Sequence, residues 1–453
     1  MSQRHPEERQ RRDEGSQNAT SPHSEILRSA QDDAVARARA LYDDIDLTYV
    51  REWKSAAPGR KAIGHMPIYV PRELIHAAGM LPVGIVGGGD RLEIIRGDAF
   101  FQSYICRIPR STIELALSGR LDVLDGMLFP SICDVIRNLS GMWKMLFPDR
   151  YVRYVDVPQN FDANVGGRFW RQELDVMRDD FSRISGRAIS DDDLRASIAV
   201  YNENRAAIAE LYRERSRRPW VFPLSETYLI LRAGNVLPPE EHTRLVRDYL
   251  REASLDPSRR EQDQSRVILV GMFCEQPPHG LLVTLERAGC SVVDDDLLLG
   301  LRWLTREVPV EGDPMNNLVD AYLQASVFTA SRYSPDGHRA RSLLESFRRN
   351  EAEGVVFCAP SFCDPALLEQ PMLVAALDRE GVPHTEFKYS EDTGQFAVIR
   401  EQAGTFSDSI RLWETDVILG RREDAEGSQN ATPPPVEIPR RAAPVRDDVK
   451  DRA

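Results

Sequence analysis

The chain has 453 residues, 42% of them apolar and 28% charged, which is the composition of a globular protein with room for two or three domains. A net charge of −13 argues against nucleic acid as the main partner, and no apolar run is long enough to cross a bilayer. Six cysteines in so long a chain do not form a disulfide framework, and the charged N-terminus is unlike a secretory signal, so we predict a cytoplasmic location.

The two ends differ in composition from the middle. Residues 1–34 and 421–453 are rich in charged residues, serine and proline, and contain few large apolar residues. Such segments cannot bury enough surface to offset the entropy lost on ordering, so we predict two disordered tails. Both contain the sequence Glu-Gly-Ser-Gln-Asn-Ala-Thr, which we interpret as low complexity with no role in the fold.

Residues 35–161 alternate between strand and helix signals and are predicted to form a first α/β domain. A helical stretch over residues 34–49 precedes a broken strand at 62–70. Pro71 is predicted to start a short helix and Gly79 to end it, since proline suits the first turn and glycine the C-cap.

The same domain continues with a strand at 81–86 and a capping box formed by Ser111 and Glu114, which predicts the start of another helix. Strands at 126–129 and 151–157 complete the alternation.

Strand signals fade over residues 162–265, which we predict to be a helical insert ending in a polar linker. Within it, Ser190 and Asp193 predict a helix start. Residues 266–420 return to the alternating pattern and are predicted to form a second domain. The chain therefore predicts an α/β fold: two Rossmann/flavodoxin-like parallel-sheet domains with a helical insert, with internal duplication as the explanation of the repeat.

One short sequence occurs twice, once in each predicted domain. Residues 129–134 are Phe-Pro-Ser-Ile-Cys-Asp, and residues 359–365 are Ala-Pro-Ser-Phe-Cys-Asp-Pro. Each copy follows a buried strand and leads into a helix, and Asp364 followed by proline is typical of a helix start. Cys133 and Cys363 are thus predicted at helix N-termini, which favour thiolate, at the rim where open α/β sheets bind ligands. The repetition predicts one shared site between the two domains.

The other four cysteines have different settings. Cys358 lies within a predicted strand and Cys290 beside a glycine that ends a helix, so we interpret both as packed core residues. Cys106 and Cys274 are candidates for the same crevice, with burial as small apolar side chains as the alternative. No Cys-x-x-Cys spacing occurs, which excludes zinc-ribbon and thioredoxin motifs.

Longer segments resemble a known family. Residues 71–82, 104–112, 130–143 and 362–365 are similar to the 2-hydroxyacyl-CoA dehydratase/benzoyl-CoA reductase family, and the resemblance extends over nearly all of residues 35–415. The segments 104–112 and 130–143 resemble most closely a catalytic subunit of the reductase branch.

The resemblance implies a 4Fe–4S cluster held by three cysteines, which in this sequence are Cys106, Cys133 and Cys363. Thiolates are the ligands that iron–sulfur clusters take. The resemblance also implies a second catalytic subunit of the same family, ATP-hydrolysing activator subunits, and ferredoxin as electron donor. No Gly-x-x-x-x-Gly-Lys-Ser/Thr segment occurs in this chain, so ATP and magnesium are assigned to the partner subunits.

Three further residues and one acidic run have ordinary alternatives. Arg107 and Arg110 flank Cys106 and are candidates for binding CoA phosphates or the thioester oxygen, with a solvated or interface arginine as the alternative. Glu73 is a candidate for proton transfer, although an acid in the first turn of a helix is common. The aspartates at 294–296 are a candidate cation site, with a solvated strand end as the preferred interpretation.

The resemblance implies an enzyme, the iron–sulfur catalytic subunit of an ATP-dependent, ferredoxin-dependent oxidoreductase of anaerobic aromatic degradation. It would dearomatise benzoyl-CoA to a cyclohexadiene-carboxyl-CoA by single low-potential electrons. The alternatives are a subunit of a radical (R)-2-hydroxyacyl-CoA dehydratase and a non-catalytic iron–sulfur subunit. An aromatic acyl-CoA thioester needs a flat apolar slot, and we predict Ile132 and Phe362 in its walls.

Overall fold

The computed structural model describes residues 33–271, 277–297, 299–332, 337–390 and 396–427, with side chains described as far as residue 412 except at 299–300. The described residues as far as Ile410 belong to one compact unit, which contains both sheets. The described residues after Ile410 are the end of one helix and belong to a second unit.

Within these residues, eight strands form two parallel sheets of four. The strands are β1 Ala62–His65, β2 Leu81–Gly84, β3 Gly126–Pro130, β4 Tyr151–Val155, β5 Ser265–Val270, β6 Cys290–Asp295, β7 Gly354–Pro360 and β8 His384–Tyr389. The first sheet has the order β2-β1-β3-β4 and the second β6-β5-β7-β8, so one strand order occurs twice. The predicted α/β fold with two parallel sheets is confirmed.

Helices connect the strands and occupy the chain between the two sheets. The α-helices in the described ranges are α1 Ala34–Asp43, α2 Thr48–Ser55, α3 Arg72–Ala77, α4 Arg107–Leu117, α5 Asp134–Leu146, α6 Arg168–Ser185, α7 Asp191–Arg217, α8 Leu224–Ala233, α9 Pro239–Leu255, α10 His279–Arg287, α11 Leu299–Arg302, α12 Pro314–Ala325, α13 His338–Arg349, α14 Asp364–Glu380 and α15 Phe396–Gly427. Short 3-10 turns lie at Gly89–Arg91, Gly97–Ala99 and Arg120–Val123, and a π-helical turn at Ala163–Gly167 precedes α6.

The central strands are apolar because helices cover both faces of a parallel sheet. All residues of β3 and of β7 are buried. Strands that are buried on both faces are nearly continuous apolar runs rather than alternating ones, which is the pattern of both segments. Both strands are therefore recognisable in the sequence as short apolar runs without alternation.

The helical segment between the sheets is tied to the second sheet by a buried ion pair. Arg215 of α7 and Asp295 at the end of β6 are 2.5 Å apart, and both side chains are fully buried. Asp296, the next residue, pairs with Arg339 of α13 at 2.9 Å. The solvated strand end predicted for residues 294–296 is therefore wrong at Asp295 and Asp296, which are buried and paired with arginines from two helices.

The helix predicted over residues 34–49 is two helices, α1 and α2. The chain turns between them at Leu47, whose φ of 52° lies in the left-handed region. The Asp44 carboxylate then accepts the N–H groups of Thr48 and Tyr49 at 2.9 and 3.0 Å. An acidic side chain that satisfies the first N–H groups of a helix starts a new one, which explains the break.

The predicted capping box at Ser111 and Glu114 is also wrong. Helix α4 already begins at Arg107, so both residues lie within it. The Glu114 carboxylate instead accepts three backbone N–H groups from residues 95–97, at 2.9, 2.6 and 2.9 Å. The N-cap of α4 is Cys106, which gives this cysteine the same local setting as the two in the repeated turns.

Parts of three predictions lie at or beyond the described ranges. Helix α15 continues past residue 420, so residues 421–427 of the predicted C-terminal tail are helical. The repeated Glu-Gly-Ser-Gln-Asn-Ala-Thr copy in the N-terminal tail, most of the copy in the C-terminal tail, and Cys274 lie outside the described residues. No helix in the described ranges combines the length and the apolar character needed to cross a membrane.

Candidate functional site

A cavity of about 660 Å³ opens where β3 and β7 end. Its wall includes residues 131–136, which follow β3, and residues 362–365, which follow β7. The carboxyl ends of parallel strands are the edge at which open α/β sheets bind ligands. Cys106, Cys133 and Cys363 all line this cavity, although they are far apart in the sequence.

The two repeated turns leave their sheets in the same way. The N–H of Ser131 donates to the last carbonyl of β4 at 2.9 Å, and the N–H of Ser361 donates to the last carbonyl of β8 at 2.7 Å. Cys133 is then the N-cap of α5, and Cys363 is the N-cap of α14. The same short sequence therefore builds the same strand-to-helix turn in each half of the site.

Three helix N-termini meet at the cavity, because Cys106 is the N-cap of α4. Ser, Thr, Asp and Asn are the usual N-cap residues, so three cysteines at such positions need another explanation. The N-terminus of a helix carries a partial positive charge and favours an anionic side chain. Three thiols at this position are suited to bind a metal as thiolates.

The thiols of Cys133 and Cys363 are close enough to influence each other. Burial is the largest effect on Cys133 and raises the pKa of its thiol, whereas the N–H groups of Ile136 and Val135 lower it. The neighbouring Cys363 thiol raises the pKa of Cys133 further. Because two adjacent buried thiolates repel each other, a bound cation is what would stabilise both in their ionised form.

The donor set consists of thiols, which as thiolates are the ligands that iron–sulfur clusters take. In the ranges that the structure describes, no three His, Cys, Asp or Glu side chains are grouped closely enough to hold one ion. A 4Fe–4S cluster binds each thiolate through a different iron, so its ligands are further apart than the ligands of one ion. Three cysteines around one cavity of about 660 Å³ fit a cluster in chemistry and in available space, and one of its four irons would have no ligand among them.

The rest of the wall is largely apolar. Met66, Ile105, Ile132, Phe362 and Met372 contribute side chains to it. Phe362 directly precedes Cys363, has a φ of 67° and is 52% exposed. A phenylalanine in the left-handed region is unusual, and such residues occur preferentially at functional sites. Both residues predicted as walls of an aromatic slot, Ile132 and Phe362, line this cavity.

The two arginines predicted to bind CoA have other contacts and are not among the described residues that line the cavity. A guanidinium nitrogen of Arg107 donates to the carbonyl of Leu92 at 2.9 Å. The Arg110 guanidinium pairs with Asp98 at 2.6 Å. Their binding of phosphate therefore stays a prediction, and Arg110 would have to leave an ion pair to do so.

Glu73 is buried against the helical segment, away from the described cavity wall. Its carboxylate pairs with Arg205 of α7 at 2.6 Å, and its side chain is only 3% exposed. A role in proton transfer stays a prediction, and the geometry in this structure is that of a structural ion pair.

Among the wall residues that sequence reasoning missed is a carboxyl group, Glu369. Glu369 lies four residues after Pro365 on α14. Leu368 lies four residues after Asp364, and Met372 four residues after Leu368. Residues four apart share one face of a helix, so this spacing was the available signal.

Comparison with known proteins agrees with this architecture. Residues 67–410 match the family described as 2-hydroxyglutaryl-CoA dehydratase, D-component. The match covers every described strand except β1, together with all three cavity cysteines. The chain belongs to this family.

Individual relatives within this reductase and dehydratase family differ in reaction. The C subunit of the benzoyl-CoA reductase from Thauera aromatica is 57% identical over 382 residues, which is 84% of this chain and 99% of the relative. The (R)-phenyllactyl-CoA dehydratase beta subunit of Clostridium sporogenes is 28% identical over 353 residues, 78% of this chain and 92% of the relative. The (R)-2-hydroxyglutaryl-CoA dehydratase beta subunit of Acidaminococcus fermentans is 28% identical over 361 residues, 79% and 94% respectively. The predicted family and the predicted oxidoreductase class are confirmed.

Proposed function

We propose that this chain is the iron–sulfur catalytic subunit of a benzoyl-CoA reductase. The observation that carries the proposal is the meeting of Cys106, Cys133 and Cys363, each at a helix N-terminus, in one cavity. The 57% identity to a reductase subunit, against 28% to the dehydratase subunits, favours reduction as the reaction. The product would be a cyclohexadiene-carboxyl-CoA.

The three cysteines would hold a 4Fe–4S cluster that, when bound, supplies single electrons at low potential. The chain's own part is to bind the cluster and to set its surroundings. The positive ends of α4, α5 and α14 would offset the negative charge of the thiolates. Burial of Cys363, which is 3% exposed, would keep water away from one side of the cluster.

The apolar wall suits an aromatic acyl group. Ile132 and Phe362, each next to a proposed ligand, would place a flat ring beside the cluster. Cavities of roughly 300–1,000 Å³ are usual for small-molecule sites, and this one has about 660 Å³. An apolar wall also excludes water, which strengthens the electrostatic interactions inside the site.

Assembly with other subunits is part of the proposal. Large apolar side chains are exposed at the edge of the cavity, with Leu368 75% and Met372 48% accessible. Exposed apolar side chains that cluster mark protein contact surfaces, and the relatives are themselves named as subunits. We propose a second catalytic subunit of the same family at this edge, activator subunits that hydrolyse ATP with magnesium, and ferredoxin as donor.

Anaerobic reconstitution tests the function. The chain would be purified with its co-expressed partner subunits and supplied with ATP, magnesium, reduced ferredoxin and benzoyl-CoA. We expect ATP-dependent conversion of benzoyl-CoA to a cyclic diene thioester, resolved by chromatography and mass. The complex that carries Cys363→Ser should not catalyse the conversion.

The runner-up function is that of a radical (R)-2-hydroxyacyl-CoA dehydratase subunit, and the 28% identity to two such subunits favours it over other chemistry. The same preparation would be offered (R)-2-hydroxyacyl-CoA thioesters. Elimination of water from these, with benzoyl-CoA unchanged, would replace our proposal. An unaltered rate of benzoyl-CoA reduction in the Cys363→Ser complex would assign this chain a non-catalytic role.

A further inference from the structure

Glu369 is a buried carboxyl group in the wall of the cysteine cavity. It is 8% exposed, whereas the other described carboxyl groups of the wall, Asp134 and Asp364, are exposed to solvent. Asp134 and Asp364 also directly follow two of the proposed cluster ligands. Glu369 lies one to two helical turns further along α14, on the face of the helix that borders the cavity.

We propose that Glu369 is a proton donor to the acyl group bound in this cavity. The inference rests on the proposed reduction of an aromatic thioester, because that reaction consumes protons as well as electrons. General acids that are positioned within a dry site are typically carboxyl or imidazole groups with altered proton affinity. In the described part of the wall, Glu369 is the buried group of this kind.

Three groups face the Glu369 carboxyl from other elements. Arg339 of α13 is 3.4 Å away, and Arg339 is in turn 2.9 Å from Asp296, which follows β6. The Tyr69 hydroxyl is near enough to interact with Glu369, and it hydrogen-bonds to Thr329 at 2.9 Å. The Arg339 guanidinium is therefore closer to Asp296, at 2.9 Å, than to Glu369, at 3.4 Å.

These surroundings favour the protonated carboxyl without preventing its ionisation. Burial raises the pKa of Glu369, Arg339 acts in the opposite direction, and Asp296 raises it again. After Glu369 gives up its proton, Arg339 stabilises the carboxylate that remains. A carboxyl with raised proton affinity and one adjacent cation can therefore donate a proton and recover it.

A second cavity offers a return path for the proton. Asp296 and Arg339 both line a separate cavity of about 380 Å³, whereas Glu369 lines the cysteine cavity. The ion pair therefore forms a wall between the two. Water that enters the second cavity reaches the far side of the pair without crossing the substrate site.

The proposed step balances in atoms and electrons. The ring of benzoyl-CoA accepts two electrons, one at a time, from a low-potential protein donor, and it accepts two protons. For one of those protons, the O–H bond of Glu369 breaks as a C–H bond forms on the ring. The second proton comes from solvent, and the Glu369 carboxylate is then reprotonated by solvent, so each turnover consumes two solvent protons.

The test compares two matched glutamine variants in the complete complex. Glu369→Gln keeps the size and the hydrogen-bond acceptor but cannot donate a proton. Glu380→Gln is the control, because Glu380 pairs with Arg348 at 2.7 Å between the same two helices but lies on the surface. We expect Glu369→Gln to lose at least about 100-fold of the reduction rate with unchanged iron content, and Glu380→Gln to lose none.

Infrared spectroscopy provides a readout that does not depend on turnover. Spectra recorded at a pH above the titration of ordinary carboxyl groups should show the carbonyl band of a protonated carboxyl in the wild type and in Glu380→Gln, and this band should be missing in Glu369→Gln. In the active wild type, the rate should fall as pH rises through the titration of that band.

The outcomes separate this inference from the proposed function. A wild-type complex that reduces no aromatic thioester would contradict the proposed function and, with it, this role. A wild type that reduces benzoyl-CoA, together with a Glu369→Gln complex that is equally fast, would overturn this inference alone. Absence of a band specific to Glu369 would also overturn it.

Discussion

Cysteine at a helix N-cap is the residue-scale feature around which the cavity is built. A thiol is a poorer cap than an oxygen-bearing side chain, so such a residue stabilises its helix less than serine or aspartate would. Cys106, Cys133 and Cys363 all occupy this position, whereas Cys290 and Cys358 lie in strands and are fully buried. The proposed metal binding would explain why the first three cysteines, unlike the other two, occupy capping positions for which a thiol is poorly suited.

Serine substitution tests this separation at the level of single residues. Cys106→Ser, Cys133→Ser or Cys363→Ser should each lose most of the bound iron, because a hydroxyl is a poor ligand for an iron–sulfur cluster. The helices should persist, since serine is a good N-cap. Iron per chain and circular dichroism would be measured on anaerobically purified protein.

The matched control is Cys290→Ser, at a sulfur that contacts the carbonyl of Ala403 at 3.9 Å and lies outside the cavity wall. It should keep the wild-type iron content. Equal iron loss in all four variants would show that the loss reflects unfolding rather than ligation.

At the scale of elements, the repeated strand order explains why two of the three cysteines are equivalent. β3 and β7 are the third strands of their sheets in chain order, and each is flanked by the first and fourth strands. Right-handed crossovers in parallel sheets place the following helix in a defined position, so a turn after β3 and a turn after β7 have the same surroundings. Cys106 has no counterpart in the second sheet and follows a longer loop after β2.

The contact of α7 with β6 gives a stability prediction at this scale. Arg215→Met should lower the free energy of unfolding by about 3–5 kcal/mol, because it leaves the Asp295 carboxylate buried without its main cation. Chemical denaturation followed by circular dichroism would measure the loss. Arg217→Met is the matched control on the same helix, since Arg217 is 74% exposed and its contact with Glu214 is 3.7 Å long.

Arg217→Met should change the free energy of unfolding by no more than about 0.5 kcal/mol. A similar small effect for Arg215→Met would mean that Tyr212, which donates to Asp295 at 3.0 Å, satisfies the carboxylate without the arginine.

At the scale of the whole molecule, the helical segment between the sheets contributes a buried histidine that makes stability depend on pH. His242 accepts from the Asn204 amide at Nδ1 over 3.0 Å and donates from Nε2 to the carbonyl of Ile230 over 3.1 Å. This arrangement requires the neutral ring. Burial lowers the pKa of His242 to about 4.

The sign of the effect follows from linkage. Because the unfolded chain binds a proton at the ordinary histidine pKa of about 6.5 and the folded chain does not, the unfolded state gains protons first as pH falls. The contribution of His242 to the free energy of unfolding is fully present above pH 6.5 and is lost between about pH 6.5 and 4. It amounts to about 3 kcal/mol over that range.

Urea unfolding at a series of pH values checks this prediction. The His242→Gln variant should show a shallower loss of stability between pH 6.5 and 4 than the wild type, whatever its stability at neutral pH. Parallel curves for His242→Gln and the wild type would refute the assignment.

The sequence by itself determined the features that depend on neighbouring residues. Buried strands were recognisable as apolar runs, and the helix starts at Asp191 and Asp364 followed from capping residues, because these signals act within one turn. The repeated cysteine turn was visible for the same reason. Resemblance to a family carried the choice of the third cysteine, since the local pattern at Ser111 pointed to a wrong helix start.

Only the tertiary structure decided which side chains share a space. Glu73 pairs with Arg205, 132 residues away, and Asp295 with Arg215, 80 residues away, so both acids have ion-pair partners that the local sequence does not reveal. Glu369 lines the cavity with Arg339 of α13 next to it, and Arg339 in turn pairs with Asp296, which follows β6. Such contacts depend on how sheets and helices pack, and that information is spread over the whole chain rather than held in any one segment.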